Sequence, residues 1–332
     1  MTTRRAFVRS VALASGAGLL GFRPHTSAAE PPPETTRIRL AWSTTLCFAP
    51  QYVAEELLRA EGFTTVEYVR RDPQVPSAVL MAKGEIDLSF GLGPNFIRRA
   101  DEGDPVVLLA GGHVGCFELF GTRRVRSITD LKGKTVAVPG LGLGPHVFLS
   151  IILAHVGLDP RKDVDWRTLP WDDTVRLLAE EKIDAFLGFP PEPQELRARQ
   201  IGRVVVNTST DRSWSQYFCC MIAGHRAFVQ KHPVATKRAL RAILKGADLC
   251  ATDPDRAARL LVSGGYTRSE YAARVLRDIP YGKWREYNPE DTARFYALRL
   301  HEIGMIRSSP QKILSQGTDW RFLNELKKEL KG

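Results

Sequence analysis

The sequence predicts an α/β fold made of two lobes, and three observations support this prediction. Short apolar segments of strand length alternate with segments of helical periodicity, which is typical of largely parallel sheets. A loose nine-residue pattern occurs twice, 97 residues apart. Once a predicted export signal is removed, about 303 residues remain, and a chain of that length usually forms more than one core.

The first 29 residues predict a signal peptide for twin-arginine export. Arg4 and Arg5 precede the apolar run 11–20, and the small residues at 27–29 fit a cleavage site. Because the apolar run is far shorter than the roughly 20 residues of a membrane-spanning helix, we expect a soluble, monomeric protein in the periplasm. Residues 30–37 include three consecutive prolines and are predicted to be a linker.

The first series of elements follows this linker. Pro50 begins a helix, because proline fits the first turn, and Gly62 ends it. The predicted strands are 38–42, 66–69, 86–90 and 106–110, and the predicted helices are 50–60, 76–83 and 94–102.

A second series repeats the alternation and is followed by a helical region. The predicted strands are 134–138, 165–169, 185–188 and 203–207, and the helices are 145–156, 172–181 and 192–200. From Arg226 onward the pattern is almost entirely helical, ending with a helix over 319–331. Lobe one is predicted to hold 38–122 with 224–332 and lobe two 126–215, with crossings near 122–126 and 208–219.

The repeated pattern lies at 86–94 and 183–191. Both copies begin with Ile-Asp and carry a glycine five residues and a proline eight residues after the isoleucine. Each copy predicts a strand, a tight turn and a helix that begins at proline. Asp87 and Asp184 occupy the same place in the two copies, so we expect a shared structural role rather than acid–base catalysis.

Composition excludes several classes of function. Removal of the signal leaves a net charge of +6 with acids and bases interspersed, so no nucleic-acid partner is expected. No G-x-S-x-G or H-E-x-x-H motif occurs and the seven histidines are scattered, so the sequence predicts no enzyme. Five cysteines without C-x-x-C spacing favour buried free thiols, with a metal-binding or redox remnant as the alternative. No cofactor and no metal are predicted.

The candidate ligand site lies in the loops that follow strands, because ligands of open α/β sheets bind at the carboxyl ends of the strands. Aromatic rings there can clamp a planar ligand, and hydroxyl and amide groups can bond to its polar edge. The predicted site residues are Trp42, Ser43, Thr44, Thr45, Phe90, Gly91, Asn95, Gly140, Gly142, Gly144, His146, Gly188, Phe189 and Trp214.

The glycine-rich loop 139–146 is the most suggestive of these loops. Its three glycines let backbone N–H groups approach a ligand, and Pro145 begins a helix whose positive end favours an anion. The alternative is an ordinary glycine-rich turn. His146 either donates to a ligand oxygen or serves as a cap. Glu192 would be unfavourable beside an anion, so it points away or the ligand carries a cationic or N–H portion.

Several segments resemble the nitrate-, sulfonate- and taurine-type substrate-binding proteins of ABC transport systems. The resemblance covers about 38–260, and its most specific part is Leu-Lys-Gly-Lys at 131–134; further matching segments are 42–45, 49–54, 84–87, 135–140 and 231–233. It implies two α/β lobes joined by two hinge strands, a small ligand enclosed between them, and an ABC permease as partner. The ligand classes considered are sulfonate, nitrate, aromatic carboxylate and pyrimidine.

The same segments also resemble the fungal thiamine pyrimidine synthases, which implies an alternative function as such an enzyme or as a pyrimidine-precursor binder. Those enzymes use a lysine after the first Gly-x-Ile-Asp strand, where this chain has Gly91-Leu92-Gly93. Their cysteine-rich run is reduced here to Cys219-Cys220. Both differences, together with the export signal, favour the binding protein. A transcription regulator with this fold would need an N-terminal helix-turn-helix, which the signal segment cannot supply.

Overall fold

A computed structural model describes residues 30–330 apart from 71, 73, 74, 268 and 269. The predicted signal peptide at 1–29 therefore lies outside the described residues. The described residues from Pro32 onward form one compact unit. Within the part of the chain that is described, no helix has both the length and the apolar character needed to cross a membrane.

The first sheet has five strands in the order β2-β1-β3-β10-β4. These strands are β1 (Arg37–Ala41), β2 (Thr65–Val69), β3 (Leu88–Leu92), β4 (Val106–Val114) and β10 (Phe218–His225). β1 runs parallel to β2 and β3, whereas β10 is antiparallel to β3 and β4. The sequence did not predict β10, because a strand buried on both faces lacks the alternation of polar and apolar residues.

The second sheet repeats this arrangement in the order β7-β6-β8-β5-β9. Its strands are β5 (Glu118–Gly121), β6 (Lys134–Val138), β7 (Val164–Thr168), β8 (Ala185–Gly188) and β9 (Arg203–Asn207). β6 runs parallel to β7 and β8, and β5 is antiparallel to β8 and β9. In both sheets the fourth strand is therefore an antiparallel one that follows a connection between the sheets.

The two connections are residues 115–117 and 208–217. The first lies N-terminal to the predicted 122–126, because β5 pairs with β8 and β9 and so belongs to the second sheet. The second lies within the predicted 208–219. β5 therefore belongs to the second sheet, although its residues were predicted to lie in lobe one. Which residues form each whole lobe stays a prediction.

The helices fall between the strands as predicted, and the region after β10 is helical. The helices up to β9 are α1 (Ala49–Val53), α2 (Glu55–Ala60), α3 (Ser77–Ala82), α4 (Gly93–Asp101), α5 (Gly144–His155), α6 (Trp171–Ala179) and α7 (Glu192–Ala198). Those after β10 are α8 (Arg226–Lys231), α9 (Pro233–Thr252), α10 (Pro254–Ser263), α11 (Ala272–Asp278), α12 (Pro289–Glu302), α13 (Pro310–Gly317) and α14 (Arg321–Glu329). The predicted helix 50–60 is divided at Ala54, and α9 packs against both halves.

Asp87 and Asp184 make equivalent contacts, as the repeated pattern predicted. The Asp87 carboxylate accepts from the backbone N–H of Arg39 in β1 at 2.8 Å, and Asp184 accepts from that of Thr135 in β6 at 3.0 Å. Each also pairs with an arginine, Asp87 with Arg39 at 2.6 Å and Asp184 with Arg124 at 2.7 Å. Each carboxylate holds the strand that follows it, β3 or β8, beside a parallel neighbour, β1 or β6, which is a structural role.

Asp184→Ala is expected to lower the free energy of unfolding by about 1–2 kcal/mol, since it leaves the Thr135 N–H without its acceptor. Burial raises the pKa of Asp184, but the Thr135 N–H and Arg124 outweigh burial and lower it overall. The carboxylate therefore stabilises the fold above its ordinary pKa of 3.8, and this contribution disappears as the pH falls.

Thermal unfolding at pH 7 and pH 3 checks this expectation. The difference between the natural protein and Asp184→Ala should be larger at pH 7 than at pH 3. Glu67→Ala is the control, because the Glu67–Arg37 pair is largely exposed and contributes little. Equal effects of the two substitutions at pH 7 would contradict the structural role.

Candidate functional site

A cavity of about 440 Å³ lies among the loops at the carboxyl ends of strands from both sheets. Such a volume is in the range of sites for drug-sized organic ligands. The residues that line it are Trp42, Ser43, Thr44, Thr45, Cys47, Phe48, Arg70, Pro76, Ser77, Ala78, Gly91, Leu92, Asn95, Phe96, Cys116, Phe117, Pro139, Leu143, Gly144, Pro145, Phe189 and Cys220. The lining is mostly apolar, with a few polar groups.

Loops of the two sheets contact each other beside the cavity. The Thr45 hydroxyl, after β1, donates to the Pro190 carbonyl, after β8, at 3.3 Å. The Arg98 guanidinium, on α4, donates to the Gly142 carbonyl at 3.2 Å. Each bond joins a residue beside the first sheet to a loop of the second sheet. These contacts therefore depend on how closely the two sides of the cavity approach each other.

Gln51 and Tyr52 position the loop that follows β1. The fully buried Gln51 amide donates to the Ala41 carbonyl at 2.7 Å and accepts from the Phe90 N–H at 3.2 Å. It therefore connects the end of β1 to the middle of β3. The Ser43 N–H donates to the Tyr52 hydroxyl at 2.6 Å, and that hydroxyl donates to the Ser43 carbonyl at 2.9 Å. Neither side chain was predicted to belong to the site, since glutamine and tyrosine on a helix carry no distinctive pattern.

Trp42 presents an aromatic ring and a neighbouring charge to the cavity. The ring packs against Tyr52 and Tyr266, with centroids 5.7 Å and 5.5 Å away. The Arg70 guanidinium lies over the same ring, 4.6 Å from its centroid, and also lines the cavity. Stacking on the ring orders this cation, which can then pair with an anionic group of a ligand.

Asn95 supplies an unused hydrogen-bonding group. It lies in the first turn of α4 and lines the cavity. Its Oδ1 atom is buried and has no hydrogen-bond partner among the described residues. A buried polar atom without a partner is costly, so this oxygen is suited to accept a hydrogen bond from a bound ligand.

The glycine-rich loop borders the cavity only in part. Gly144 lines the cavity, but Gly140, Gly142 and His146 do not. The Gly142 N–H donates to Nδ1 of His146 at 3.1 Å, so the His146 ring bonds to the turn that precedes its own helix. Burial and the nearby Arg98 lower the pKa of His146, which keeps the ring neutral and able to accept this bond.

Three other predicted residues also lie away from the cavity wall. Phe90 is fully buried and packs against Phe48 and His113. Gly188 ends β8, and Trp214 is buried against the ring of Phe148. The eight predicted residues that do line the cavity are Trp42, Ser43, Thr44, Thr45, Gly91, Asn95, Gly144 and Phe189. Their part in binding stays a prediction.

Glu192 points towards the backbone of its own turn. Its carboxylate accepts from the Phe189 N–H at 3.0 Å, at the N-terminus of α7. Burial raises its pKa to about 8, and nearby Cys47 and Glu195 add to the rise, although the Phe189 bond lowers it. The carboxyl group is therefore largely protonated at neutral pH and places little negative charge beside the cavity.

The five cysteines are buried and free, as the sequence favoured. Four of them converge beside the cavity, although they come from three distant parts of the chain: Cys47, Cys116, Cys219 and Cys220. His113 lies in the same cluster; burial lowers its pKa, but Cys220 and Cys47 outweigh burial and raise it to about 10. The sequence did not predict this cluster of cysteines, because their spacing in the chain matches no metal-binding motif.

Comparison with known proteins gives a family match over most of the chain. The model of the NMT1-like family matches residues 31–262. The riboflavin-binding protein RibY of Chloroflexus aurantiacus is 22% identical over 236 residues, which are 69% of this chain and 66% of RibY. The bicarbonate-binding protein CmpA of Synechococcus elongatus is 25% identical over 127 residues, 38% of this chain and 28% of CmpA. The chain therefore spans less than two thirds of these curated relatives.

Solved structures share the fold at low sequence identity. The periplasmic nitrate-binding protein NrtA from Synechocystis has a TM-score of 0.71 and 16% identity, covering 91% of this chain and 90% of that one. The aliphatic sulphonate-binding protein SsuA from Escherichia coli has a TM-score of 0.67 and 17% identity, covering 84% and 91%. These matches confirm the predicted two-sheet α/β fold of periplasmic binding proteins.

Proposed function

The chain belongs to the NMT1-like family, and from this premise we propose that it is the substrate-binding component of an ABC-type uptake system for a small organic anion. The observation that carries the proposal is the cavity among the loops of both sheets. Its aromatic ring, its ordered cation and its unpartnered amide are groups that recognise a ligand, and no bond in the ligand needs to be broken.

The cavity favours an organic ligand over an inorganic ion. At about 440 Å³ with a mostly apolar lining, it has room for a carbon skeleton. Trp42 and Phe189 offer ring faces for stacking, while Arg70 and Asn95 offer polar contacts. An aromatic carboxylate or a sulfonate has both parts and is the ligand class that we propose. Nitrate and bicarbonate, which two relatives are named for, lack the apolar part.

Export to the periplasm and delivery to an inner-membrane ABC permease complete the proposal. Support comes from the predicted twin-arginine signal and from the similarity to the nitrate import ATP-binding protein NrtC of Synechococcus elongatus, 25% identical over 271 residues. We further propose that ligand binding brings the two lobes together about the connections at 115–117 and 208–217. The contacts from Thr45 to Pro190 and from Arg98 to Gly142 would form on closure.

The alternative function, a pyrimidine synthase, receives less support. The named relatives are binding proteins and a transport ATPase. The wall of the cavity contains no lysine among the described residues, whereas the resemblance to the synthases implies one after β3. Leu92 occupies that region and lines the cavity through an apolar side chain.

The ligand itself is to be found by a thermal-shift screen of sulfonates, aromatic carboxylates, pyrimidines and nitrate. A ligand at 100 times its dissociation constant adds about 2.7 kcal/mol to the free energy of unfolding. For a hit, Trp42→Ala should weaken binding by about 5- to 150-fold in calorimetry, because the ligand loses one ring face and its burial. Arg70→Gln should weaken an anionic hit and leave a neutral analogue nearly unchanged.

Trp171→Ala is the matched control, since this tryptophan is also partly exposed but packs against Phe186, away from the cavity. It should leave the affinity unchanged. If Trp42→Ala binds the hit as tightly as Trp171→Ala does, the cavity is not the binding site. If only pyrimidines raise the melting temperature, the organic-anion assignment fails while the binding function stands.

A further inference from the structure

A cluster of sulfur and nitrogen ligands forms part of the cavity wall. Its members come from the short helix at 46–48, the end of β4, the connection 115–117 and the start of β10: Cys47, His113, Cys116, Cys219 and Cys220. All five side chains are at most 5% exposed. Cys47, Cys116 and Cys220 line the cavity, so the cluster can be reached from the ligand site.

The spacing of the ligand atoms suits a tetrahedral metal ion. The ligand atoms of Cys47, His113 and Cys116 lie within 4.8 Å of one another, and so do those of Cys116, Cys219 and Cys220. A tetrahedral ion with zinc–sulfur bonds of about 2.3 Å requires sulfur atoms about 3.8 Å apart. Sulfur atoms that lie within 4.8 Å of one another can reach this separation through small side-chain rotations.

His113 has one ring nitrogen that is free to bind a metal ion. Its Nδ1 lies 2.9 Å from the Gly115 carbonyl oxygen, and because a carbonyl only accepts, Nδ1 carries the proton that is donated. Nε2 is buried and has no hydrogen-bond partner among the described residues. A backbone carbonyl that fixes one ring nitrogen while the other stays unpaired is the usual arrangement of a metal-binding histidine.

We propose that this cluster binds one thiophilic metal ion, zinc or monovalent copper, through Cys47, His113, Cys116 and Cys220. Thiolates and imidazole are the ligands that these ions prefer. Cys220 is assigned as the fourth ligand because it lines the cavity together with Cys47 and Cys116, whereas Cys219 does not. The bound ion would join the first sheet to the connection at 115–117 and would form one face of the ligand cavity. This site does not depend on which organic ligand the cavity takes.

The test uses the full chain, reduced and stripped of metal with a chelator, and titrated with cobalt, zinc and monovalent copper. We expect one ion per chain and, with cobalt, the sulfur-to-metal charge-transfer absorption and the visible bands of a tetrahedral thiolate complex. Cys116→Ser should weaken zinc binding at least as much as the 10- to 100-fold loss that follows removal of an outer-shell partner. Cys220→Ser should weaken it more than Cys219→Ser does.

Cys250→Ser is the control, because Cys250 is equally buried but lies in α9, outside the cluster. It should bind zinc like the natural protein. Since Cys116→Ser can also unfold the chain, zinc X-ray absorption of the natural protein gives a second measurement, with three sulfur neighbours and one nitrogen expected. Failure of the reduced natural protein to bind an ion, oxygen-dominated coordination, or equal losses in Cys116→Ser and Cys250→Ser would each overturn the proposal.

Discussion

Gly115→Ala is expected to lower the free energy of unfolding by about 3–4 kcal/mol. Gly115 lies in the connection between β4 and β5 with a φ of +51°, which strains any residue that has a Cβ. A Cβ atom there would lie 2.3 Å from Cα and 2.4 Å from N of Ser209, in the other connection. Because both of these atoms are backbone, no side-chain rotation relieves the overlap, and the two connections must separate.

Gly103→Ala is the matched control for this prediction. Gly103 also has a positive φ, +87°, but a Cβ atom there meets nothing within 4 Å. Its substitution therefore measures the backbone strain alone, at about 1 kcal/mol. Denaturant unfolding of both variants gives the difference, which we expect to be about 2–3 kcal/mol. Equal losses would mean that the close approach of the two connections contributes nothing to stability.

Phe90→Ala is expected to lower the free energy of unfolding by about 3–5 kcal/mol, because it removes a fully buried ring from the first sheet. The ring packs between Phe48 and His113. It also lies against Gly112, where a Cβ atom would be 2.2 Å from the ring. Gly112→Ala alone should therefore also destabilise the protein, by about 1–3 kcal/mol.

The double variant Phe90→Ala with Gly112→Ala separates packing from other causes. Once the ring is absent the alanine at 112 has space on that side, so the two losses should not add, and the double variant should be more stable than their sum by at least about 1 kcal/mol. Strict additivity in denaturant unfolding would show that the ring and the glycine do not contact each other. Phe90 and Trp42 were both predicted to contribute aromatic rings to the site. The double variant tests whether the Phe90 ring is instead part of the core.

The sequence predicted those elements whose signals are local. Strands β6, β8 and β9 match their predicted bounds, because each lies between turn residues and carries branched or aromatic side chains. The repeated Ile-Asp pattern correctly predicted a shared structural role for Asp87 and Asp184. Ligands of open α/β sheets bind after parallel strands, and this rule predicted eight residues that do line the cavity: Trp42–Thr45, Gly91, Asn95, Gly144 and Phe189.

Only the tertiary structure decided which strand pairs with which and which side chains meet. β5 and β10 join their sheets through antiparallel partners distant in the chain, and no local pattern records such pairing. Phe90 was predicted to end a strand, as Trp42 was, but it lies in the middle of β3, where packing against His113 buries its ring. The Trp42 ring borders the cavity. The cysteines come together for the same reason. Contacts between residues far apart in sequence depend on the path of the whole chain. A sequence pattern describes only residues that are close together in the chain.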